Sequence, residues 1–447
     1  MKSAIQTTAL MGVMAAIAAV AAASVYPWPK TVTKNAQVNK PLFEDYDTSS
    51  VRGIEVATYN EDTSKVDRLK LKRKGERWVI PQKSEFDVTG GDRVIDITKA
   101  LNGRTVLEVT SDSQTDHVKF GVVDPAEAST ASSRSSLGSR LELTDRNRKV
   151  IGSMIIGHAV KDKPDNHYVR VTGKPTVYTI EFNDSILSAD FSRWTSPNLL
   201  GLPSSQSSRR LPSTINVNKY RIAADKREDI YDINFAVKGE PARMSVASAT
   251  VEGEEVEASQ LPTMFLQTVV RTLFRLQITD VVNQSKSAVE ALRSKADASS
   301  KASISALQET GFFYRGWTDG GHQFDAANGK VSIGMTDGVR HHVLIGGIAN
   351  QVGGSDSLKL LYRVMLTADV DESGFDEPEK PADFDKDEAI KKAYLREVKE
   401  RNLLIELAGR QAEEFNRKHS MWIYVMDETV VKGLFPEVEI STETVPK

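Results

Sequence analysis

The chain has 447 residues, a near-neutral balance of 58 Lys and Arg against 61 Asp and Glu, and no cysteine. That length suffices for two or three domains, and a formal charge of -3 gives no long-range attraction to nucleic acid or anionic lipid. The missing cysteine rules out thiol catalysis, cysteine-ligated metal and a disulfide-built module.

The first predicted element is an uncharged apolar run between Lys2 and Lys30, rich in alanine and carrying Leu10, Met11, Val13, Met14, Ile17 and Val20. A spanning helix needs about 20 apolar residues and a signal peptide core about 7–15. Residues 7–26 are therefore expected to form one membrane anchor within a leader of residues 1–30. The alternatives are a signal peptide cut near Ala21-Ala22-Ala23 and a buried helix. Lys30, Lys34 and Lys40 outnumber Lys2, so a strict positive-inside count opposes an amino end left inside. We still expect that orientation, because so short a leading segment is hard to export. The rest of the chain then lies on the far side of the membrane.

Residues 31–45 read as a polar linker, and the first α+β repeat is expected over 46–200. Ile54 and Val56 alternate around Glu55, Leu69 and Leu71 around Lys70, and Gly75 turns the chain into Arg77-Trp78-Val79-Ile80, a meander that Pro81 ends. Val94, Ile97 and Leu101 share one face of a short helix with Asp92 as its predicted cap. Strands follow at Thr105–Val109, Leu141–Thr144, Met154–Gly157, Tyr168–Val171 and Thr176–Ile180, the last two joined through Gly173-Lys174-Pro175. Residues 201–214 are the expected linker, within a Ser- and Pro-rich passage.

The second repeat is expected over 215–370. Ile215–Ile222, Ile230–Val237 and Met244–Val251 read as strands, and Leu261, Met264, Phe265, Val269, Leu273 and Leu276 as a helical stripe. A further helix is predicted over Ala288–Gln308, with Asp297-Ala298-Ser299-Ser300 as a break in it. Val331–Asp337 echoes Arg140–Asp145, Val343-Leu344-Ile345-Gly346 echoes Met154-Ile155-Ile156-Gly157, and Leu361–Val364 loosely echoes Tyr168–Val171. Three echoes in the same order point to an internal duplication. An acidic linker (371–385) leads to a C-terminal segment (386–447). It holds a long amphipathic helix from about Lys386 to Arg417 and a closing strand, Met421–Met426. Ile390, Tyr394, Val398, Leu404, Leu407 and Phe415 form the helix's apolar side, expected to pack on the second repeat or to receive a partner.

The residues offer little reactive chemistry. Of seven histidines only His341 and His342 adjoin, and strand neighbours point to opposite faces, so they do not share a metal. No dinucleotide, phosphate-loop, H-E-x-x-H or Gly-x-Ser-x-Gly pattern occurs. Asp225/Glu228 and Glu252/Glu254-Glu255 read as solvated acids, and Gly346-Gly347 as a turn. Neither catalytic residue, cofactor nor metal is assigned. The one unusual cluster is Phe312, Phe313, Tyr314, Arg315 and Trp317, a possible partner-docking patch that also reads as core plus a hairpin turn.

With its leader, Gly75-Glu76-Arg77-Trp78-Val79-Ile80, Ile156-Gly157, Tyr168-Val169-Arg170-Val171, Gly173-Lys174-Pro175-Thr176-Val177-Tyr178, Phe415-Asn416 and Trp422-Ile423-Tyr424-Val425-Met426, the chain resembles the bacterial envelope family DUF4340, of unknown function. A Ser-rich loop at 129–137 and an insertion around 281–308 depart from the family pattern. Members of that family often accompany ABC-type transport components, including ones related to gliding-motility machinery. The resemblance implies a non-enzymatic, single-pass protein of the bacterial cytoplasmic membrane with its main domain extracytoplasmic and ABC-type transport subunits as partners. It carries over no catalytic residues. An envelope glycan hydrolase and a periplasmic small-ligand receptor are the alternatives. The expected fold is α+β: two tandem related lobes of mostly antiparallel sheet with packed helices, behind one N-terminal transmembrane or signal segment.

Overall fold

A computed structural model of the protein describes residues 36–438, except 62, 130, 132, 203–210, 224–225, 239–242, 263, 287, 290–300, 319–320 and 353–358. The leader predicted over residues 7–26 and the helix break at Asp297–Ser300 lie outside the described residues. Among the described residues no helix is long and apolar enough to cross a membrane.

The first half supplies β1 (Gly53–Asn60), β2 (Lys65–Lys74), β3 (Arg77–Ile80), β4 (Phe86–Asp87), α1 (Gly91–Lys99), β5 (Glu108–Ser111), α2 (His117–Phe120), β6 (Ser139–Thr144), β7 (Val150–Val160), β8 (Lys163–Val171) and β9 (Val177–Glu181). The second half supplies β10 (Pro212–Ala223), β11 (Lys226–Lys238), β12 (Arg243–Val251), β13 (Glu254–Glu255), α3 (Phe265–Leu273), β14 (Asp280–Asn283) and α4 (Lys301–Gln308). After these come β15 (Phe312–Thr318), β16 (Gly321–Ala326), β17 (Lys330–Met335), β18 (Val339–Val352), β19 (Lys359–Val370), α5 (Glu388–His419), β20 (Trp422–Asp427) and α6 (Glu428–Leu434). Asp92, the predicted cap, is instead the second residue of α1, inside its first turn.

Two mostly antiparallel sheets of nine strands result, ordered β4-β3-β2-β1-β6-β7-β8-β9-β5 and β13-β12-β11-β10-β17-β18-β19-β20-β14. Position for position these are the same order. Each has one four-strand meander, a second meander, and on the far edge the strand that lies between them in sequence. By contact density the chain divides into two compact units. One holds the described residues up to Val51 with Ile97–Leu187, and the other Arg52–Asp96 with the described residues from Ser188 onward.

Period-two alternation explains the individual strands. In β2, Leu69 and Leu71 are buried while Lys70 and Lys72 are exposed. Gly157 on β7 and Gly346 on β18, the latter expected at a turn, both sit inside strands at β-bulges, where register slips between Ile156 and Ala159 and between Ile345 and Ile348. Sterics demand glycine at both. A Cβ at 157 would collide with the Phe120 carbonyl oxygen, and one at 346 would lie 2.7 Å from the Thr310 carbonyl oxygen and from the Phe312 ring. Both carbonyls belong to the residue just before a left-handed glycine, Gly121 (φ 69°) or Gly311 (φ 87°). The next residue, Val122 or Phe312, then enters a buried cluster with Ile155 or Leu344 of its own sheet. With Ile156-Gly157 matched to Ile345-Gly346, register equates Arg140 with Lys330 and Ser153 with His342. That places Leu141 opposite Val331, two residues from the match read in the sequence.

The second half carries two additions. The hairpin β15–β16 forms its own small sheet. The 32-residue α5 stands between β19 and β20, where β8 and β9 are joined by the Gly173 turn alone. Asp387 caps α5 through the amides of Ala389 and Ile390. The helix packs through Ala408, Ala412 and Phe415 on Val339, Ala368 and Val370, small residues allowing close approach. Asn416 completes the attachment. β20 pairs with β19 only over Leu361–Val364, and farther along the Asn416 amide accepts from Ala368 N–H at 2.7 Å and donates to its carbonyl at 2.8 Å.

Candidate functional site

Register on the second sheet brings one polar residue from each of six strands to a single level. Ser248 lies opposite Asn234, Asn234 opposite Asn216, Asn216 opposite Ser332, Ser332 opposite His342, and His342 opposite Thr367. Each is the outward position of its own strand, so the row forms once the strands align. Beside it lies a cavity of about 370 Å³, bounded by Asn216, Asn234, Lys330, Ser332, His342, Thr367 and Asp369, with Phe324 of β16 and Leu344 as its apolar wall.

The polar groups of this basin are joined in order. Asn216 Nδ2 donates to Asn234 Oδ1 at 2.7 Å, and Asn234 Nδ2 donates to Ser248 Oγ at 3.0 Å. Ser332 Oγ lies 2.8 Å from His342 Nδ1, and His342 Nε2 lies 3.1 Å from Asp369 Oδ2. Arg340 clamps Asp369 with Nε at 3.0 Å and Nη2 at 3.2 Å. Burial pushes the His342 imidazole below its ordinary pKa, and Asp369 only partly opposes this. The neutral ring carries its proton on Nε2, facing the carboxylate, and its Nδ1 accepts from the Ser332 hydroxyl. Burial alone would raise the Asp369 carboxyl; the bonds from His342 and Arg340 outweigh it and hold the group below the usual range.

A serine, a histidine and an aspartate thus form a chain, in an order of nitrogens opposite to that of the hydrolytic triad. Its carboxylate is already neutralised by Arg340, and Ser332 is buried in the middle of β17. Such an arrangement fixes a polar surface; its acid has little charge left to stabilise an imidazolium. The amine of Lys330, two residues along β17 from Ser332, lines the same cavity and makes neither hydrogen bond nor ion pair with any described residue. Burial lowers its pKa, with Asp325 and Asp369 opposing.

The predicted docking residues fall differently. Phe312 is fully buried in the cluster under the hairpin, and the half-buried Tyr314 packs against that cluster. Phe313 is half-buried, and Arg315 is exposed and pairs with Asp325 at 2.6 Å. The Trp317 side chain lies outside the described residues. His341 faces away from the basin, 4.6 Å from the Phe415 ring. Glu252, Glu254 and Glu255 are exposed around the β12–β13 turn, and Asp225 lies outside the described residues.

Along α5 the buried contact runs through alanines, while Leu403, Leu404 and Leu407, the last two on the apolar side read from the sequence, stand 55, 51 and 43 % exposed. Arg401 donates from Nε to the Phe375 carbonyl at 3.4 Å.

Residues 78–295 match the family described as Domain of unknown function (DUF4340). The chain thus carries a stretch similar to the DUF4340 domain, over just under half of its length. No curated protein and no solved structure matches the chain. The DUF4340 match opens in β3 and ends after β14. Asn216 and Asn234 lie within it, whereas Lys330, Ser332, His342, Thr367 and Asp369 lie beyond it, so the match covers only one side of the basin.

Proposed function

We propose that this protein is a membrane-tethered, non-enzymatic binding and assembly component of a bacterial envelope, working with subunits of an ABC-type transport system. The observation that carries the assembly reading is a patch of exposed leucines on α5. Three neighbouring leucines, 403, 404 and 407, stay exposed on a helix that is an addition to the sheet plan. Exposed large apolar groups grouped on one face are the usual mark of a protein contact. The helix extends about 48 Å at 1.5 Å per residue, a long platform for another subunit. The uncharged run at residues 7–26 supports a tether at the cytoplasmic membrane with the main domain extracytoplasmic.

The test is crosslinking and co-purification from membranes. The intact chain is compared with a version lacking residues 1–30 and with a Leu403→Ser, Leu404→Ser, Leu407→Ser variant. Transport subunits are expected with the intact chain and lost with both altered forms. Recovery of no protein partner by the intact chain overturns the reading. Equal recovery by the triple variant removes α5 from it.

A further inference from the structure

The basin has a feature that a merely structural polar network lacks. Its arginine, histidine, serine and asparagines have hydrogen-bond partners, but the Lys330 amine has none among the described residues. A mostly buried ammonium without a hydrogen-bond acceptor is costly. The two carboxylates that act on it electrostatically are already engaged: Asp369 with Arg340 at 3.0 Å, and Asp325 with Arg315 at 2.6 Å. The first sheet shows the ordinary solution at the same address. There the equivalent cation, Arg140, pairs with Asp124 at 3.4 Å, and Ser153 bonds Thr172 at 2.8 Å. In the second sheet the cation faces a cavity of about 370 Å³ instead of an acid, a volume within the roughly 300–1,000 Å³ range of small-molecule sites.

We propose that this cavity is a binding site for a small hydroxylated oxyanion, a carboxylate or phosphate monoester on a polyol or sugar. Its charged oxygens sit on Lys330, and its hydroxyls meet Thr367, Ser332 and Asn216. The class follows from the free valences. Lys330 offers three donors and no acceptor, so it takes oxygen lone pairs, best when charged. Ser332 Oγ spends its proton on His342 and keeps acceptor capacity, and Thr367 brings a hydroxyl that both donates and accepts. Phe324 and Leu344 supply an apolar wall for carbon–hydrogen faces.

The test uses the purified full-length chain in detergent and calorimetric titration at pH 7 with four probes: glucuronate, glucose 6-phosphate, inorganic phosphate and glucose. Saturable binding of glucuronate or of glucose 6-phosphate is expected, at least tenfold tighter than glucose. Whichever of the two binds identifies the oxyanion, and inorganic phosphate binding as tightly as glucose 6-phosphate removes the hydroxylated part of the proposal. Lys330→Met should fold, since it deletes a buried charge, and should weaken the preferred probe at least tenfold. Should that variant not fold, Thr367→Val must weaken binding several-fold. Retained affinity in the variant that folds, binding of neither charged probe, or glucose binding equally well overturns the proposal.

Discussion

Replacing His419 by glutamine should flatten the acid sensitivity of the second sheet. His419 closes α5 with 2 % of its surface exposed, its ring stacked 4.2 Å from Phe415 and its Nδ1 2.6 Å from the Tyr424 hydroxyl. Burial keeps the Tyr424 phenol protonated, so it donates and the imidazole accepts. Burial, then the nearby Lys418 and His341, lower the His419 pKa from 6.5 to about 3. Below pH 6.5 the unfolded chain takes up a proton that the folded chain refuses. Stability is therefore fully present above pH 6.5 and is lost as pH falls toward the folded value. Between pH 7 and pH 5 this one site costs about 2 kcal/mol, at 1.36 kcal/mol per pH unit. Glutamine keeps an acceptor for Tyr424 but does not titrate in this range. The assay is urea unfolding of both proteins at pH 7, 6 and 5, followed by near-ultraviolet circular dichroism. The variant should start less stable, by about 1 kcal/mol for the lost ring packing, and then lose about 2 kcal/mol less than the wild type on acidification. Other titrating groups are common to both proteins, so the difference in slope belongs to His419. Parallel pH profiles would refute the reasoning.

Gly157→Ala and Gly346→Ala should each destabilise by roughly 1–3 kcal/mol, since the new methyl has a carbonyl oxygen in its place; equal thermal midpoints to wild type would show that the bulges yield. Arg340→Met leaves the Asp369 carboxylate buried beside a neutral imidazole and should cost roughly 2–4 kcal/mol, below the fully buried range because the arginine is 35 % exposed. Adding Asp369→Asn in that background should recover part of the loss, read as a non-additive double-mutant cycle. Asn416→Ala strips Ala368 of both partners and should cost about 2–3 kcal/mol, with early hydrogen exchange at Ala368 as its local signature.

Strand alternation and order were legible in the residues. The likeness of the two sheets is visible in Ile156-Gly157 and Ile345-Gly346 because both need glycine at one bulge, a steric demand that holds where the surrounding side chains differ. What stayed hidden depends on pairing. Asn216, Ser332, His342 and Thr367 each look like the wet side of a separate strand, and only register sets them at one level. Leu404 and Leu407 read in the sequence as an apolar side open either to packing on the second repeat or to a partner. Close approach to a sheet favours alanine, and Ala408 and Ala412 took the packing side. Phe312 and Tyr314 looked exposed beside Arg315, but the hairpin folds both aromatics toward Leu344 and Met365.

The two additions to the second sheet meet on one strand. β19 alternates so that Thr367 and Asp369 line the basin, while Ala368 between them faces the opposite side and takes both bonds from Asn416 of α5. No such arrangement exists on β8, where the chain turns at Gly173 and returns directly as β9. The insertion of α5 at a strand connection left the strand order intact and placed a new helix over the back of the strand that carries the basin's acid. A ligand held at Thr367 and a partner bound to α5 would therefore act on adjacent residues of one strand, which carries the Arg340 clamp at Asp369 and the Asn416 bonds at the Ala368 backbone.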